Sequence, residues 1–274
     1  MDPASLIDLD RYPIDRLESA RGAAMVAAAA ADLERDALAL LPGFLRPQAI
    51  AAMVAEATPL VPRAHRRDRL RTPYGWMDNR GFAEGHPRRA LHRHCGGAIT
   101  RDMMAPQGPA ATLFDWPVLT EFVRRVLGFE TLHNSADPYL SLEIHIEDRG
   151  DQFAWHFDTN DGVVSLLLQA PESGGAFEYV PYVRDEDDEN YEEIARVFAG
   201  TSERVRRPQM APGTFVLFRG RRSIHRVSPV GATTRPRLIA LFSYDRKPGM
   251  VFPEATVRAA MDPSDTPHLG TPAP

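Results

Sequence analysis

Beyond Pro138 the chain takes up a strict two-residue rhythm, with Leu140, Leu142, Ile144 and Ile146 alternating with Ser141, Glu143, His145 and Glu147. Successive side chains of an extended strand point to opposite faces, so this segment must bury one apolar face and turn a polar one the other way, as one strand of a layered sheet. Shorter runs follow it. Phe153 to Asp158, Val163 to Gln169, Phe177 to Val180, Thr214 to Phe218, Ile224 to Val227 and Arg237 to Tyr244 read as further strands, and Asp148-Arg149-Gly150-Asp151 as a turn between two of them. Short strands at this spacing predict a sandwich or jelly roll.

The rest of the chain supplies helices and loops. Leu17 to Ala37 is rich in Ala, Leu, Glu and Arg with one Gly and no Pro, which predicts a helix against the sheet. Leu38 to Leu45 reads as a short strand and a Pro-Gly turn. A helix opens at Pro47 and is ended by Pro59 and Pro62. Arg63 to Arg101 is basic and irregular, and is expected to form long loops over the mouth of the core. Pro117 to Leu127, with Gly128 after it, predicts an amphipathic helix. The acidic stretch from Asp185 opens a helical insertion near 187–199, and its spacing is not that of a calcium-binding loop. The expected organisation is one structural domain: a helical and loop region over 1–138, a strand-rich core over 139–250, and a C-terminal tail over 251–274.

At 274 residues and a formal net charge of −5, the chain is long enough for a large core and has no overall attraction for a phosphate backbone. A small-molecule substrate is therefore expected, with no nucleic acid and no membrane. The single Cys95 forms no internal disulfide, and no signal-like or spanning apolar stretch is present, which fits a cytoplasmic protein.

Chemistry concentrates in Trp155-His156-Phe157-Asp158 and Ser223-Ile224-His225-Arg226-Val227. Two imidazoles and one carboxylate can occupy one face of an octahedral metal and leave the other open, as in non-haem iron oxygenases. His156 and Asp158, two apart on a strand, can share a face. By itself a His-x-Asp triplet is weak in a chain with nine His. His145-Ile146-Glu147 is a second such triplet, and a zinc hydrolase could use similar ligands.

Three further elements follow His156 in a fixed order: Ser173-Gly174-Gly175-Ala176-Phe177, Ala211-Pro212-Gly213-Thr214-Phe215-Val216-Leu217-Phe218 and Thr234-Arg235-Pro236-Arg237-Leu238-Ile239. With them the chain resembles the Fe(II)/2-oxoglutarate-dependent oxygenase superfamily. The stretches Leu168 to Glu172, Gly174 to Pro181 and Gly220 to Val227 look like its subgroup of free-amino-acid radical halogenases and hydroxylases. The resemblance covers roughly 140–245 and implies a mainly β fold with flanking helices around a double-stranded β-helix (jelly roll, cupin-like) core. It implies His156, Asp158 and His225 as metal ligands and catalytic residues, with Fe(II), 2-oxoglutarate and O2 as cofactor and co-substrates. The His145 triplet lies farther from the downstream elements than the resemblance expects, and ranks behind.

In this superfamily a basic residue about ten positions after the distal histidine grips the far carboxylate of 2-oxoglutarate. Arg235 stands there, with Arg237 as the reserve. Halogenases of the subgroup carry a small residue in place of the metal-binding carboxylate, which frees a position for halide. Asp158 fills that position, so the resemblance implies a hydroxylase that couples decarboxylation of 2-oxoglutarate to C–H hydroxylation of a small polar metabolite, with a free amino acid favoured. Substrate contacts are expected from Arg66, Arg71 and Arg80 for a carboxylate, Glu143 for an ammonium, Tyr74 and Trp76 at the mouth, and Thr159 and Asn160 beside the ligands. The alternatives are an oxygenase of protein side chains or carrier-bound substrates, and a non-catalytic metal-binding jelly-roll module.

Overall fold

The structure is a computed structural model and describes residues 1–75, 77–159 and 163–262. The N-terminal half carries helices α1 (Ala20–Asp36), α2 (Pro47–Ala57), α3 (Pro109–Phe114) and α4 (Pro117–Leu127), with strands β1 (Leu38–Leu41), β2 (His65–Arg71), β3 (His92–Thr100) and β4 (His133–Asn134). Local chemistry sets their ends. Ser19 caps α1 by accepting from the Gly22 amide, and α4 opens on Pro117 and closes on Gly128, whose φ of 70° is the left-handed conformation glycine adopts without strain. The remainder holds β5 (Leu142–Glu147), β6 (Phe153–His156), β7 (Val163–Gln169), β8 (Phe177–Val180), α5 (Tyr191–Ala199), β9 (Phe215–Phe218), β10 (Ile224–Val227), β11 (Arg237–Asp245) and α6 (Glu254–Met261).

The strands form two sheets. The larger runs β1-β9-β7-β11-β5-β3-β2, with β4 added on β11, and the smaller runs β6-β10-β8. All the strand pairs are antiparallel. This is the jelly-roll architecture expected from the sequence. On the large sheet one side is apolar: Leu142, Ile144, Ile146, Val164, Leu166, Phe215, Leu217, Leu238, Ala240 and Phe242 join a single core with Phe44 and with Leu119, Phe122 and Val123 of α4. The other side, facing the small sheet, carries Glu143, His145, Glu147, His94 and Arg237. A second, smaller core lies behind the small sheet, where Trp155, Phe157, Val180 and Ile224 pack with Ile194 and Val197 of α5.

Two expectations are corrected. Residues 63–101 are not long loops throughout: β2 and β3 pair from His65↔Ala98 to Arg71↔His92 and extend the large sheet beyond β5. Their period of two escapes a hydrophobicity reading because the inward residues of β2 are His65, Arg67, Arg69 and Arg71, a basic row in place of an apolar one. The stretch from 251 also contains structure, since α6 approaches β2 and the Ala259 carbonyl accepts a 2.7 Å hydrogen bond from Arg69 Nη1. Residues 263–274 of the expected tail lie outside the described residues. No helix among the described residues is long and apolar enough to cross a membrane.

Candidate metal centre

β6 and β10 are neighbours, with His156 opposite His225. From that pair to the next, Val227↔Phe153, β6 spends one more residue than β10, which is a β-bulge. The extra residue lets Phe153 and His156 face the same interior. There Phe153 packs against His94, His156 and His145, with ring centroids 3.9, 4.7 and 5.4 Å away. Asp158 follows just past the end of β6, its amide donating to the Gly220 carbonyl at 3.1 Å.

One ligand atom each from His156, Asp158 and His225 lies within 4.8 Å of the others, the one such cluster among the described residues. Asp158 Oδ1 is 3.7 Å from His156 Nε2 and 3.4 Å from His225 Nε2. Both Nδ1 atoms face backbone carbonyls, Ala154 at 2.8 Å and Ser223 at 3.0 Å. A proton on each Nδ1 satisfies those carbonyls and leaves both Nε2 lone pairs aimed at the space beside Asp158, the arrangement that orients histidine ligands in metal sites. The donor set therefore fits one divalent cation bound on one face. Burial, followed by the neighbouring His225 and Arg71, holds His156 well below the ordinary imidazole pKa, and keeps it neutral and able to coordinate.

Sequence reasoning gave Gly220 no role, yet the site depends on its lack of a side chain. A Cβ there would lie 1.8 Å from Asp158 Oδ2 and 3.1 Å from His225 Cε1. The signal was present as the first residue of the Gly220 to Val227 stretch, but only the three-dimensional approach shows what the glycine is for. Phe153 and His94 were missed for a related reason: each reads as an ordinary strand residue until the bulge and the β3 register bring them to the metal ligands.

The two arginines considered for 2-oxoglutarate are placed differently. Arg235 lies before β11, its side chain 58% exposed and 3.8 Å from Glu172 Oε1. Arg237 opens β11 on the inward face, its side chain 3% exposed, with Nη1 donating to Glu147 Oε2 at 2.8 Å. The spacing favoured Arg235; the register favours Arg237, because Pro236 and the turn before it leave residue 235 outside the sheet. Gly175, at φ 63°, lies beside it, and a Cβ there would press on Pro171 Cγ at 3.0 Å and Val230 Cγ2 at 3.2 Å. Glu147 of the second triplet is thus committed to Arg237 and lies outside the metal cluster.

Among the expected substrate contacts, Glu143 and Arg71 face the interior between the sheets. Glu143 Oε1 and His145 Nε2 are buried without a hydrogen-bond partner, 3.5 Å apart. Burial, then Arg69 and Arg67, bring the Arg71 guanidinium down to about 10, with Asp158 opposing. Three residues are not at the site. Arg66 faces outward and binds both oxygens of Asp151; Arg80 is exposed and paired with Asp78; and Tyr74 is fully buried behind the small sheet, 5.4 Å from Phe157. Tyr74 packs there because Phe157 points away from the metal ligands flanking it. Thr159 is exposed directly after Asp158. Trp76 and Asn160 lie outside the described residues.

The family model described as HalD: Halogenase D matches residues 22–251. No curated protein matches the chain. Among solved structures, the chain is similar to SnoN, a non-heme alpha ketoglutarate dependent epimerase from nogalamycin biosynthesis, at 16% identity and a TM-score of 0.55, over 81% of this chain and 83% of that one. AviO1 from Streptomyces viridochromogenes Tue57 gives 19% identity and 0.55 over 81% and 95%. SnoK, a non-heme alpha ketoglutarate dependent carbocyclase, gives 12% and 0.55 over 87% and 92%. At these identities the likeness concerns the fold.

Proposed function

We propose, for a chain that belongs to the Halogenase D family, that it is an Fe(II)/2-oxoglutarate-dependent dioxygenase that hydroxylates an unactivated C–H bond of a small polar metabolite, a free amino acid. The observation that carries this reading is Asp158, a carboxylate that converges with two Nε2 atoms where the family's halogenating members, as the sequence resemblance has it, need a vacant position for halide. His156, Asp158 and His225 would hold Fe(II). With 2-oxoglutarate bound, iron supplies the oxidising equivalents from O2 for C–H cleavage.

The chain's own residues do the positioning. Arg237, fixed by Glu147 and buried, would take the far carboxylate of 2-oxoglutarate, and a guanidinium with five N–H donors keeps donors for it beyond the one given to Glu147. Arg235, exposed outside the sheet, would not. Glu143 offers an acceptor for a substrate ammonium and Arg71 a donor for its carboxylate, while the Phe153 ring covers three imidazoles and limits water around the ligands. Positioning also decides the outcome after C–H cleavage, and the epimerase and carbocyclase of similar fold are described as carrying out other reactions.

The test is aerobic incubation of the purified protein with Fe(II), ascorbate, 2-oxoglutarate and single free amino acids, following succinate and substrate mass together. Succinate formation tied to a gain of one oxygen is expected for one amino acid. Succinate without a modified amino acid would move the substrate to a protein or carrier. Metal retention without succinate under any condition would leave a non-catalytic module and sink the proposal.

A further inference from the structure

The inner and outer faces of β2 treat their charges in opposite ways. On the outer face Arg66 is bound by Asp151, and Asp68 is bound by Arg93 of β3 through two contacts of 2.9 and 2.7 Å. On the inner face Arg69 is held by the Ala259 carbonyl of α6. Arg67 and Arg71, flanking it, have no hydrogen bond or ion pair among the described residues, and Arg67 Nε is buried without a partner.

Both guanidinium groups face the polar interior. Arg67 stands opposite Gly96, which has no side chain to cover it, and its electrostatic neighbours are Glu143 and Glu147. Arg71 Nη2 is 3.4 Å from the point a Cβ would occupy at Gly75, and among its electrostatic neighbours is Asp158. An unpaired buried cation is costly unless a ligand supplies the counter-charge. Two such cations call for two negative charges, and a single carboxylate brings one. The Cα atoms of residues four apart on a strand are separated by about 13 Å, and two long side chains on one face at that separation can grip the two ends of a short dianion.

We infer that the substrate carries two acidic groups, one for Arg67 and one for Arg71, and is therefore a dicarboxylic amino acid whose ammonium faces Glu143. This rests on the hydroxylase reading above and names its substrate class.

The experiment has two arms. Calorimetric titration of the Fe(II)- and 2-oxoglutarate-loaded protein without oxygen compares aspartate and glutamate with asparagine, glutamine, leucine and lysine. Aerobic turnover then follows succinate and product mass. A dicarboxylic amino acid is expected to bind at least tenfold more tightly than its amide. Arg67→Met should remove that preference and raise the substrate KM about tenfold to a hundredfold, with the KM for 2-oxoglutarate unchanged, and Arg67→Lys should restore part of it.

Tighter binding of a neutral or basic amino acid would overturn the inference and leave the hydroxylase standing. So would an Arg67→Met variant in which only the 2-oxoglutarate KM rises, because Arg67 would then serve the co-substrate. Selective dicarboxylate binding with no succinate would instead sink the hydroxylase reading and keep the two-anion site.

Discussion

Single atoms decide whether three side chains make a metal site. Asp158→Ala removes the one anionic donor, so iron content after desalting should fall at least tenfold and 2-oxoglutarate-dependent hydroxylation should be lost; full activity in that variant would end the ligand assignment. Gly220→Ala should do nearly the same without removing a ligand, because its new methyl would lie 1.8 Å from Asp158 Oδ2 and displace the carboxylate. Circular dichroism like that of the unaltered protein, with iron binding lost, is the expected pair of results. At the other end of the site, Arg237→Gln should raise the KM for 2-oxoglutarate by at least tenfold and Arg235→Gln should leave it within twofold, a contrast that steady-state kinetics reads directly.

At the scale of elements, β3 and β6 put His94 and His156 into the interior as neutral imidazoles. Burial is the largest cause for both, and both lie well below the ordinary value of 6.5. The unfolded chain takes up those protons near 6.5 while the folded metal-free chain does not, so the folded state loses stability as pH falls below 6.5. Thermal unfolding of the metal-free protein should show a falling midpoint from pH 7.5 to 5.5, and His94→Gln should flatten that slope. A midpoint independent of pH would contradict the burial of neutral histidines. Sequence patterning read the element types unevenly. Where one face of a strand is apolar, as in β5, the period of two was visible. In β2 the inward face is Arg67, Arg69 and Arg71, so the same geometry carried no hydrophobic signal.

For the whole molecule, the ligands come from β6, the second residue beyond it and β10, which the pairing of β6 with β10 brings together. A cation bound there links segments far apart in sequence and binds the folded state alone, so a metal concentration a hundredfold above its Kd should add about 2.7 kcal/mol of stability. The corresponding rise in melting temperature, measured with Mn(II) to avoid oxidation, should disappear in Asp158→Ala. The main core sits on the opposite side of the large sheet, where Phe44, Phe122 and Phe215 pack together. Ligand substitutions are therefore expected to leave the fold intact.

The sequence by itself determined the core strands from β5 to β11 that carry an apolar face, helix α4 with its Pro117 and Gly128 ends, and the types and order of the His156, Asp158 and His225 donors. These depend on local periodicity, backbone conformational limits and donor chemistry, all of which are written within a few residues. The tertiary structure alone decided that Arg237 rather than Arg235 is buried, that Gly220 must lack a side chain, that Phe153 covers three histidines, and that Arg67 and Arg71 face inward with no hydrogen-bond or ion-pair partner among the described residues. Each of these depends on strand register, a bulge or a close approach between distant segments, and a one-residue change in register turns a side chain from one face of a sheet to the other.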